Sequence, residues 1–404
     1  MMSSDEATVT PDYVDVTIER IVPGGYGIAH GGGSTYLLSG AIPGERVRAR
    51  LTGFRGKARS GVVFEVLEAS PERIEPPCPV AGVCGGCDFQ HMQYEAQLAA
   101  KREIVVDAFR RIGSINLGDD FRIVPSPKEF GYRSRANWHL EPMTGDFGYL
   151  AAESHKVIDV EHCPILEPLL DETLRKTREG IRAGLTAGIS YDAAAGDDEA
   201  NAFSGQWEPL PLYRTVEGVR YRFDASTFFQ ANGSLLDALV DEALWLADTL
   251  IAESGRGIAI DLFSGVGLFS IPLARRFETV NAIESDERAV KHAKRNARNA
   301  GADNLTINRL ETGRYFRDQK KAARKVRFAL MDPPRTGLDA ETRQGLIESE
   351  IPAITYVSCD PATLARDLKA LIAAGYRLER VVGLDCFPQT HHVEVVAHLR
   401  LDAK

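Results

Sequence analysis

The chain has no apolar run long enough to cross a bilayer, which excludes a membrane-spanning helix. Its first residues, Met1 to Pro11, lack the basic start and apolar stretch of a signal peptide. They are polar and acidic and read as a frayed tail, so a cytosolic protein is expected. An excess of basic charge is also missing, because the formal net charge is −9. Overall charge therefore cannot hold the chain to nucleic acid, and any such binding must come from local patches. Only six cysteines occur in 404 residues. In a reducing compartment they read as metal ligands, nucleophiles or buried apolar residues, not as structural disulfides. No internal repeat is present. What the chain does have is an apolar fraction of 44% and length enough for two or three domains.

Three regions follow from the patterning. In residues 1–68, Val14, Val16 and Ile18 alternate with polar residues, as do Val62, Phe64 and Val66. Glycine turns at Gly24-Gly25 and Gly31-Gly32-Gly33 separate the short strands, which predicts a small five-stranded, OB-like barrel. Arg46, Arg48 and Arg50 share one strand face by their period of two, and Arg55, Lys57 and Arg59 repeat the pattern. Two readings stand: a phosphate-binding surface, or a solvated strand face.

Residues 69–229 begin with a proline- and acid-rich linker, Pro71 to Pro79. A cysteine cluster follows, then a helix from Tyr94 to Ile112 with a stripe of Leu98, Ile104, Val105, Ala108 and Phe109. Strand-like pieces at Ala136–Leu140 and Gly148–Leu150, a helix over Pro168–Ala183 and a small acidic loop over Ala193–Ala202 predict a central α+β domain. Residues 230–404 alternate short apolar strands with helices. Ile258–Phe263, Val280–Glu284, Phe328–Met331, Ile354–Val357, Arg380–Leu384 and Val395–Leu399 read as strands of a doubly wound, mostly parallel sheet.

Tyr356-Val357-Ser358-Cys359-Asp360-Pro361 carries the strongest chemical signal. It reads as a buried strand entering a helix with Asp360 as N-cap and Pro361 at the first helical position. Cys359 then sits at a strand's carboxyl end, the edge where open α/β sheets bind ligands. The helix dipole and free N–H groups there are expected to favour thiolate. Cys359 is therefore a candidate nucleophile. Asp261 to Gly267 follows the first strand, and its glycines, Gly265 and Gly267, allow close approach of a ligand. Glu284 ends the next strand, where an acid can bond ribose hydroxyls. Ser270 stands where a dinucleotide fingerprint has its third glycine, which turns the reading from NAD to S-adenosylmethionine.

Asp332-Pro333-Pro334-Arg335 ends another strand and forms a rigid wall beside that cofactor. Glu394, after His391 and His392, precedes the last strand and is a candidate general base. The two histidines read as structural or substrate contacts, and Cys386 as a buried apolar residue. Cys78, Cys84, Cys87 and Cys163 suit zinc or an iron–sulfur cluster. Gly82, Gly85 and Gly86 would let backbone N–H groups turn towards bound sulfur. A thiol, a methyl donor and a base together suggest one reaction. C5 of a pyrimidine is too weak a nucleophile to take a methyl group unaided. Thiolate addition at C6 makes C5 enolate-like, and a base must then remove the C5 proton to free the enzyme.

These motifs resemble the RNA 5-methyluridine methyltransferases, in the branch with an N-terminal TRAM domain and a [4Fe-4S] cluster. The likeness spans nearly the whole chain. It rests on the cysteine set, Phe228-Phe229-Gln230-Ala231-Asn232, Asp261 to Gly267, Asp332 to Gly337, Val357 to Pro361 and His392-Val393-Glu394. The resemblance implies Cys359 as nucleophile and Glu394 as base. It implies Gln230, Phe263, Glu284 and Asp332 around cofactor and uracil, next to the turn glycines Gly265 and Gly267 already read as cofactor-binding, and the early barrel as an RNA-binding TRAM module. The four cysteines would hold the cluster.

The family often has asparagine where Leu268 stands, and a further asparagine near Glu311. Members with this architecture usually modify 23S ribosomal RNA, so that RNA is the expected partner, with transfer RNA as the alternative. No membrane or obligate protein partner is expected. An RNA cytosine-C5 methyltransferase fits less well, because Arg335 fills the place of its second cysteine. A catalytically idle RNA-binding iron–sulfur protein would need no thiol beside a carboxylate.

Overall fold

The computed structural model describes residues 12–185, 188–205 and 208–402. The tail expected over residues 1–11 lies outside them. The chain divides into two compact units. One holds residues up to Gly82, with Gly86–Ile104 and Gln389–His391; the other holds Val83–Gly85, Val105–Pro388 and residues from His392 onward. No helix among the described residues is long and apolar enough to cross a membrane.

The first unit is built on a six-stranded sheet, one strand more than its pattern predicts. Its order is Tyr13–Thr17, Arg46–Arg55, Ala58–Glu68, Ser34–Ser39, Tyr26–Gly31, Arg20–Val22. The extra strand arises because the Gly24-Gly25 turn, at φ 92° and 77°, folds Arg20–Val22 back on Tyr26–Gly31. Val16, Ala29, Leu38, Val47 and Ala49 close one core. The segment read as a linker is tied down, since Arg73 donates to both carboxylate oxygens of fully buried Glu45 at 2.6 and 2.7 Å.

The six cations of this unit do not form one free surface. Arg48 is held by Asp15 at 2.8 Å and Glu65 at 3.2 Å, Arg46 by Glu68 at 3.3 Å, and Arg59 by Asp12. Arg55 and Arg59 also flank a hairpin turn at Gly56-Lys57, so those three residues do not share a strand face.

In the second unit the antiparallel order is Val157–Asp159, Phe147–Leu150, Arg135–Leu140, Ser190–Ala195, Ala200–Phe203. The acidic loop expected at Ala193–Ala202 is therefore mostly a hairpin. Alanine is a poor strand former, but pairing with Arg135–Leu140 overrides that preference. A second hairpin joins Pro211–Val216 to Val219–Asp224. The helix beginning at Tyr94 is α-helical to Ala108, then forms a π turn over Phe109–Gly113, ended by Ser114 at φ 57°.

The principal sheet has eight strands. Their order is Leu305–Arg309, Thr279–Glu284, Ile258–Leu262, Val326–Met331, Ala353–Ser358, Glu394–Leu401, Tyr376–Leu384, Ile123–Val124. All neighbours run parallel except at Glu394–Leu401, which is antiparallel to both of its partners. The chain moves outward from Ile258–Leu262 to Leu305–Arg309, then returns to Val326–Met331 on the other side. That reversal opens a crevice at the carboxyl ends of the two central strands, where open α/β sheets take their ligands.

Candidate functional site

The carboxyl ends of four strands and the start of a fifth meet along this edge. The antiparallel register pairs Ser358 with Val395, so its next step sets Cys359 opposite Glu394. Residues opposite one another on antiparallel strands are close side-chain neighbours. Met331 pairs with both Leu262 and Tyr356, which brings Phe263 and Asp332 to the same level. Gln230 enters from the loop after Val219–Asp224, and its Nε2 donates to Asp332 Oδ2 at 3.0 Å. The fold thus gathers six of the residues predicted from sequence: Gln230, Phe263, Glu284, Asp332, Cys359 and Glu394.

The glycine turn is built by local constraint. Phe263 adopts φ 61°, a conformation disfavoured for a side chain of its size, and Gly265 and Gly267 follow at 54° and 93°. Glu284 fastens the turn, because its carboxylate accepts from the N–H of Gly265 and of Asp286, both at 2.8 Å. Ser270 does more than replace a glycine. Its hydroxyl donates to Asp261, whose carboxyl is buried beneath the turn. Leu268 is packed in the core, and Glu311 lies exposed at the start of a helix.

The Asp332-to-Gly337 loop is held by the helix that follows Cys359. Asp367, fully buried, accepts from Leu338 N–H at 2.9 Å and from the Tyr356 hydroxyl at 3.0 Å. Arg366 donates to the carbonyl of Thr336 at 3.0 Å. Gly337, at φ 71°, has no room for a side chain: a Cβ would lie 2.6 Å from Asp367 Oδ2.

The electrostatics differ from the sequence expectation at Cys359. Asp360 does cap the helix, but its Oδ1 takes the N–H groups of Ala362 and Thr363, both at 2.9 Å. Those donors are not available to the thiol. Burial, then the nearby Glu394, pushes the Cys359 thiol up to about 12, and the field of Arg335 only partly opposes this. Cys359 is half-buried, and these surroundings favour its thiol form.

The acids behave alike. Burial raises the Asp332 carboxyl to about 7 against the pull of Gln230. Burial, then Asp332, holds Glu394 well above the ordinary carboxylate range. Asp261 stands at about 8, raised by burial, with Asp332 and Glu284 adding to it against the Ser270 hydrogen bond. Three buried atoms here have no hydrogen-bond partner: Asp261 Oδ1, Ser264 Oγ and Glu394 Oε1. Orphaned buried acceptors are costly, and at a strand-end crevice they point to a polar ligand.

Asp261, Ser264 and Ser270 were not assigned from sequence as a bonded or orphaned set. An acid and a hydroxyl flanking the glycine turn were the available signal. Phe228, two residues before Gln230, is 65% exposed. His392 accepts from Arg335 at 3.3 Å. His391 belongs to the first unit, where it pairs with Asp88 at 2.6 Å. Cys386 is buried in the apolar core, as expected.

The four clustered cysteines are divided. Cys78 and Cys87 belong to the first unit, Cys84 and Cys163 to the second. Among the described residues no group of three or more His, Cys, Asp or Glu side chains stands so as to hold a metal ion. The Gly85 N–H is spent on the carbonyl of Leu150 at 3.0 Å and does not turn towards sulfur.

Comparison with known proteins bears on the same residues. The profile of the family described as tRNA (Uracil-5-)-methyltransferase matches residues 213–401. A 23S rRNA (uracil(1939)-C(5))-methyltransferase of Pseudomonas putida is 33% identical, covering 94% of this chain and 92% of the relative. An uncharacterised RNA methyltransferase of Aquifex aeolicus is 29% identical, over 96% of this chain and 98% of its own length. The solved tRNA (uracil-54, C5)-methyltransferase of Pyrococcus abyssi, in complex with S-adenosyl-L-homocysteine, is 25% identical. It aligns with a TM-score of 0.71, over 96% of this chain and all of that one.

Proposed function

This chain belongs to the RNA uracil-C5 methyltransferases, and we propose that it modifies one specific uridine of 23S ribosomal RNA through a transient bond from Cys359 to C6 of the ring. It carries out S-adenosylmethionine-dependent methylation of uracil C5 in RNA. The observation that carries the mechanism is the register that sets Cys359 opposite Glu394 at the edge bearing Asp332 and the glycine turn.

S-adenosylmethionine supplies an electrophilic methyl group on a sulfonium sulfur. Gln230, Phe263, Gly265, Gly267, Glu284 and Asp332 are the residues proposed to hold it and the uracil. The site's chemistry fits a cation, because Asp332 and the neighbouring Asp261 are carboxyls with no cationic partner within bonding reach among the described residues. A positive ligand favours their ionised forms and draws off their protons. Cys359, only half-buried, must give its proton up to solvent before its sulfur attacks C6. Once its sulfur bonds C6, the C5–C6 electron pair moves onto C5 and the O4 carbonyl, and C5 becomes the methyl acceptor: a new C5–methyl bond would form as the methyl–sulfonium bond breaks, its electron pair staying on the donor sulfur. Glu394, raised like the other acids in the free protein, must likewise be ionised by the bound cation before it removes the C5 proton. The C5–H electrons restore the double bond as the S–C6 bond breaks, and the thiolate leaves. A folded RNA must present the base unstacked, and exposed Phe228 offers a surface for it.

The ribosomal target is proposed because a relative similar along nearly its whole length acts on 23S rRNA. The transfer-RNA reading is favoured instead by the Pyrococcus relative. A cytoplasmic setting accords with either RNA. We further propose an RNA-binding TRAM role for the first 68 residues and a cluster-bearing central region to residue 229. A [4Fe-4S] cluster on Cys78, Cys84, Cys87 and Cys163 rests on spacing and resemblance alone, and no step above runs through it. Brown protein with iron and sulfide supports it; colourless protein with stoichiometric zinc rejects it.

The function is tested by incubating purified protein with S-adenosylmethionine and unmodified ribosomal or transfer RNA, then mapping nucleosides by mass. One new 5-methyluridine in 23S RNA is expected. New 5-methyluridine only in transfer RNA moves the target, and 5-methylcytidine overturns the assignment.

A further inference from the structure

A cleft of about 600 Å³ lies in the second unit, lined by Tyr213, Gly218, Val219, Arg220, Arg275, Arg295 and Asn299 among others. It is separate from the crevice described above. Arg275 lies near the end of the helix Ser270–Arg276, which returns the chain to the start of strand Thr279–Glu284. Asn299 ends the helix that precedes strand Leu305–Arg309. Helices returning to strand starts place the cleft at the sheet's amino edge, opposite the edge of Cys359.

Three guanidinium groups from three elements line this one cavity. Their neighbours are neutralised: Arg276 pairs with Asp248 at 2.7 Å and Lys291 with Glu287 at 2.8 Å. Arg220, Arg275 and Arg295 have no acidic partner among the described residues. The adjacent acid in sequence, Glu217, bonds Asp241 instead. The helix carrying Arg295 has no acid after Glu287, and its exposed Lys294 and Arg298 add to the same charge.

A helix dipole explains Arg275, which lies in the last turn of its helix, but not Arg220 on a strand or Arg295 within a helix. Arg220 is also pre-positioned, with its guanidinium carbon 4.2 Å from the centroid of the Tyr213 ring. A stacked guanidinium keeps its N–H edges free to bond oxygen. Unpaired cations gathered in a chain of net charge −9 repel one another unless an anion joins them. Arginine forks match phosphate oxygens in geometry.

We propose that this cleft binds the phosphodiester backbone of the substrate RNA, at a second site remote from the reacting uridine. The proposal rests on the RNA-methylating function and deepens it. A long folded RNA reaches both edges, whereas a short uridine-bearing hairpin reaches only the catalytic one.

The test compares wild-type protein with the triple variant Arg220→Gln/Arg275→Gln/Arg295→Gln and with the single variant Arg295→Glu. Protein-free 23S RNA, a short uridine hairpin and inorganic pyrophosphate serve as probes. Unchanged S-adenosylmethionine binding shows that the variants are folded, and the single exposed substitution remains informative where the triple does not fold. The triple variant is expected to bind 23S RNA about 10- to 100-fold more weakly. Its slope of log affinity against log salt should fall by about 2 to 3. Affinity for the hairpin and kcat at saturating RNA should be unchanged.

Wild-type methylation with identical 23S affinity and salt slope in both variants overturns the cleft and leaves the methylation intact. Pyrophosphate binding lost in the variants while 23S affinity stays constant overturns the RNA assignment in favour of a small-anion site. Wild-type protein that methylates no RNA strikes the function itself, whatever the variants do.

Discussion

One buried carboxyl, Asp224, and three others in the same unit have opposite characters. Asp224 accepts from His292 Nε2 at 2.7 Å, from the Ser226 hydroxyl and from the N–H groups of Ser226 and Thr227. Arg222 donates to the other ring nitrogen of His292, which fixes the tautomer with Nε2–H towards Asp224. Burial alone would raise Asp224, but these bonds outweigh it and bring the carboxyl down to about 2. Asp332, Asp261 and Glu394 are placed just as deliberately at the sheet's carboxyl edge, yet burial wins there, and two of them keep an oxygen without a partner. A satisfied buried acid holds the fold. An unsatisfied one is kept for something the fold does not supply.

The comparison can be broken in order of effect. Cys359→Ala should lower methyl transfer by more than about 10⁴-fold while calorimetry finds S-adenosylmethionine affinity unchanged. An active alanine variant removes the nucleophile from the account. Glu394→Gln should slow turnover by about 10²- to 10³-fold and accumulate a protein–RNA adduct on denaturing gels. No adduct with normal turnover would exclude it as the base.

His292→Ala leaves Asp224 buried without its main partner, and should cost about 3 kcal/mol of stability in urea titrations. A loss under about 0.5 kcal/mol would mean that the network is not what holds this region.

The last contrast is in pH. Asp224 is depressed, so its stabilisation is present above the unfolded value near 4 and is lost as pH falls through about 2. Asp261 is raised, so its contribution is full below pH 4 and is lost as pH rises through about 8. Asp261→Asn should therefore be more stable than wild type at pH 8, by on the order of 2 kcal/mol, with no gain at pH 4. Equal urea midpoints at pH 8 would show that Asp261 carries no such strain.

Much of this edge was legible in the chain. Asp360 and Pro361 announce a helix start, and the apolar run before Cys359 announces a buried strand. Glu394 was placed by the strand it precedes. That Cys359 and Glu394 face one another was not legible, because it follows from an antiparallel pairing between segments with two elements between them. The state of the thiol is not legible for a related reason. Sequence locates the helix dipole, but not the burial or the Glu394 and Asp332 carboxyls that oppose it. The hairpin over Ser190–Phe203 escaped because its alanines carry no strand signal and its order comes from Arg135–Leu140. The basic face of the first unit shrank because its acidic partners, such as Asp12 and Asp15, lie distant in sequence from Arg59 and Arg48.

The central claim is a bond from Cys359 to the uracil ring, and RNA carrying 5-fluorouridine at the target tests it most directly. Fluorine at C5 cannot leave as a proton does, so the base has nothing to remove and the adduct persists. Incubation with S-adenosylmethionine should give a stable protein–RNA species, whose digested peptide carries a methylated fluorouridine on Cys359. Complete release of the RNA without a trapped peptide, or a peptide modified at any other residue, would contradict the account.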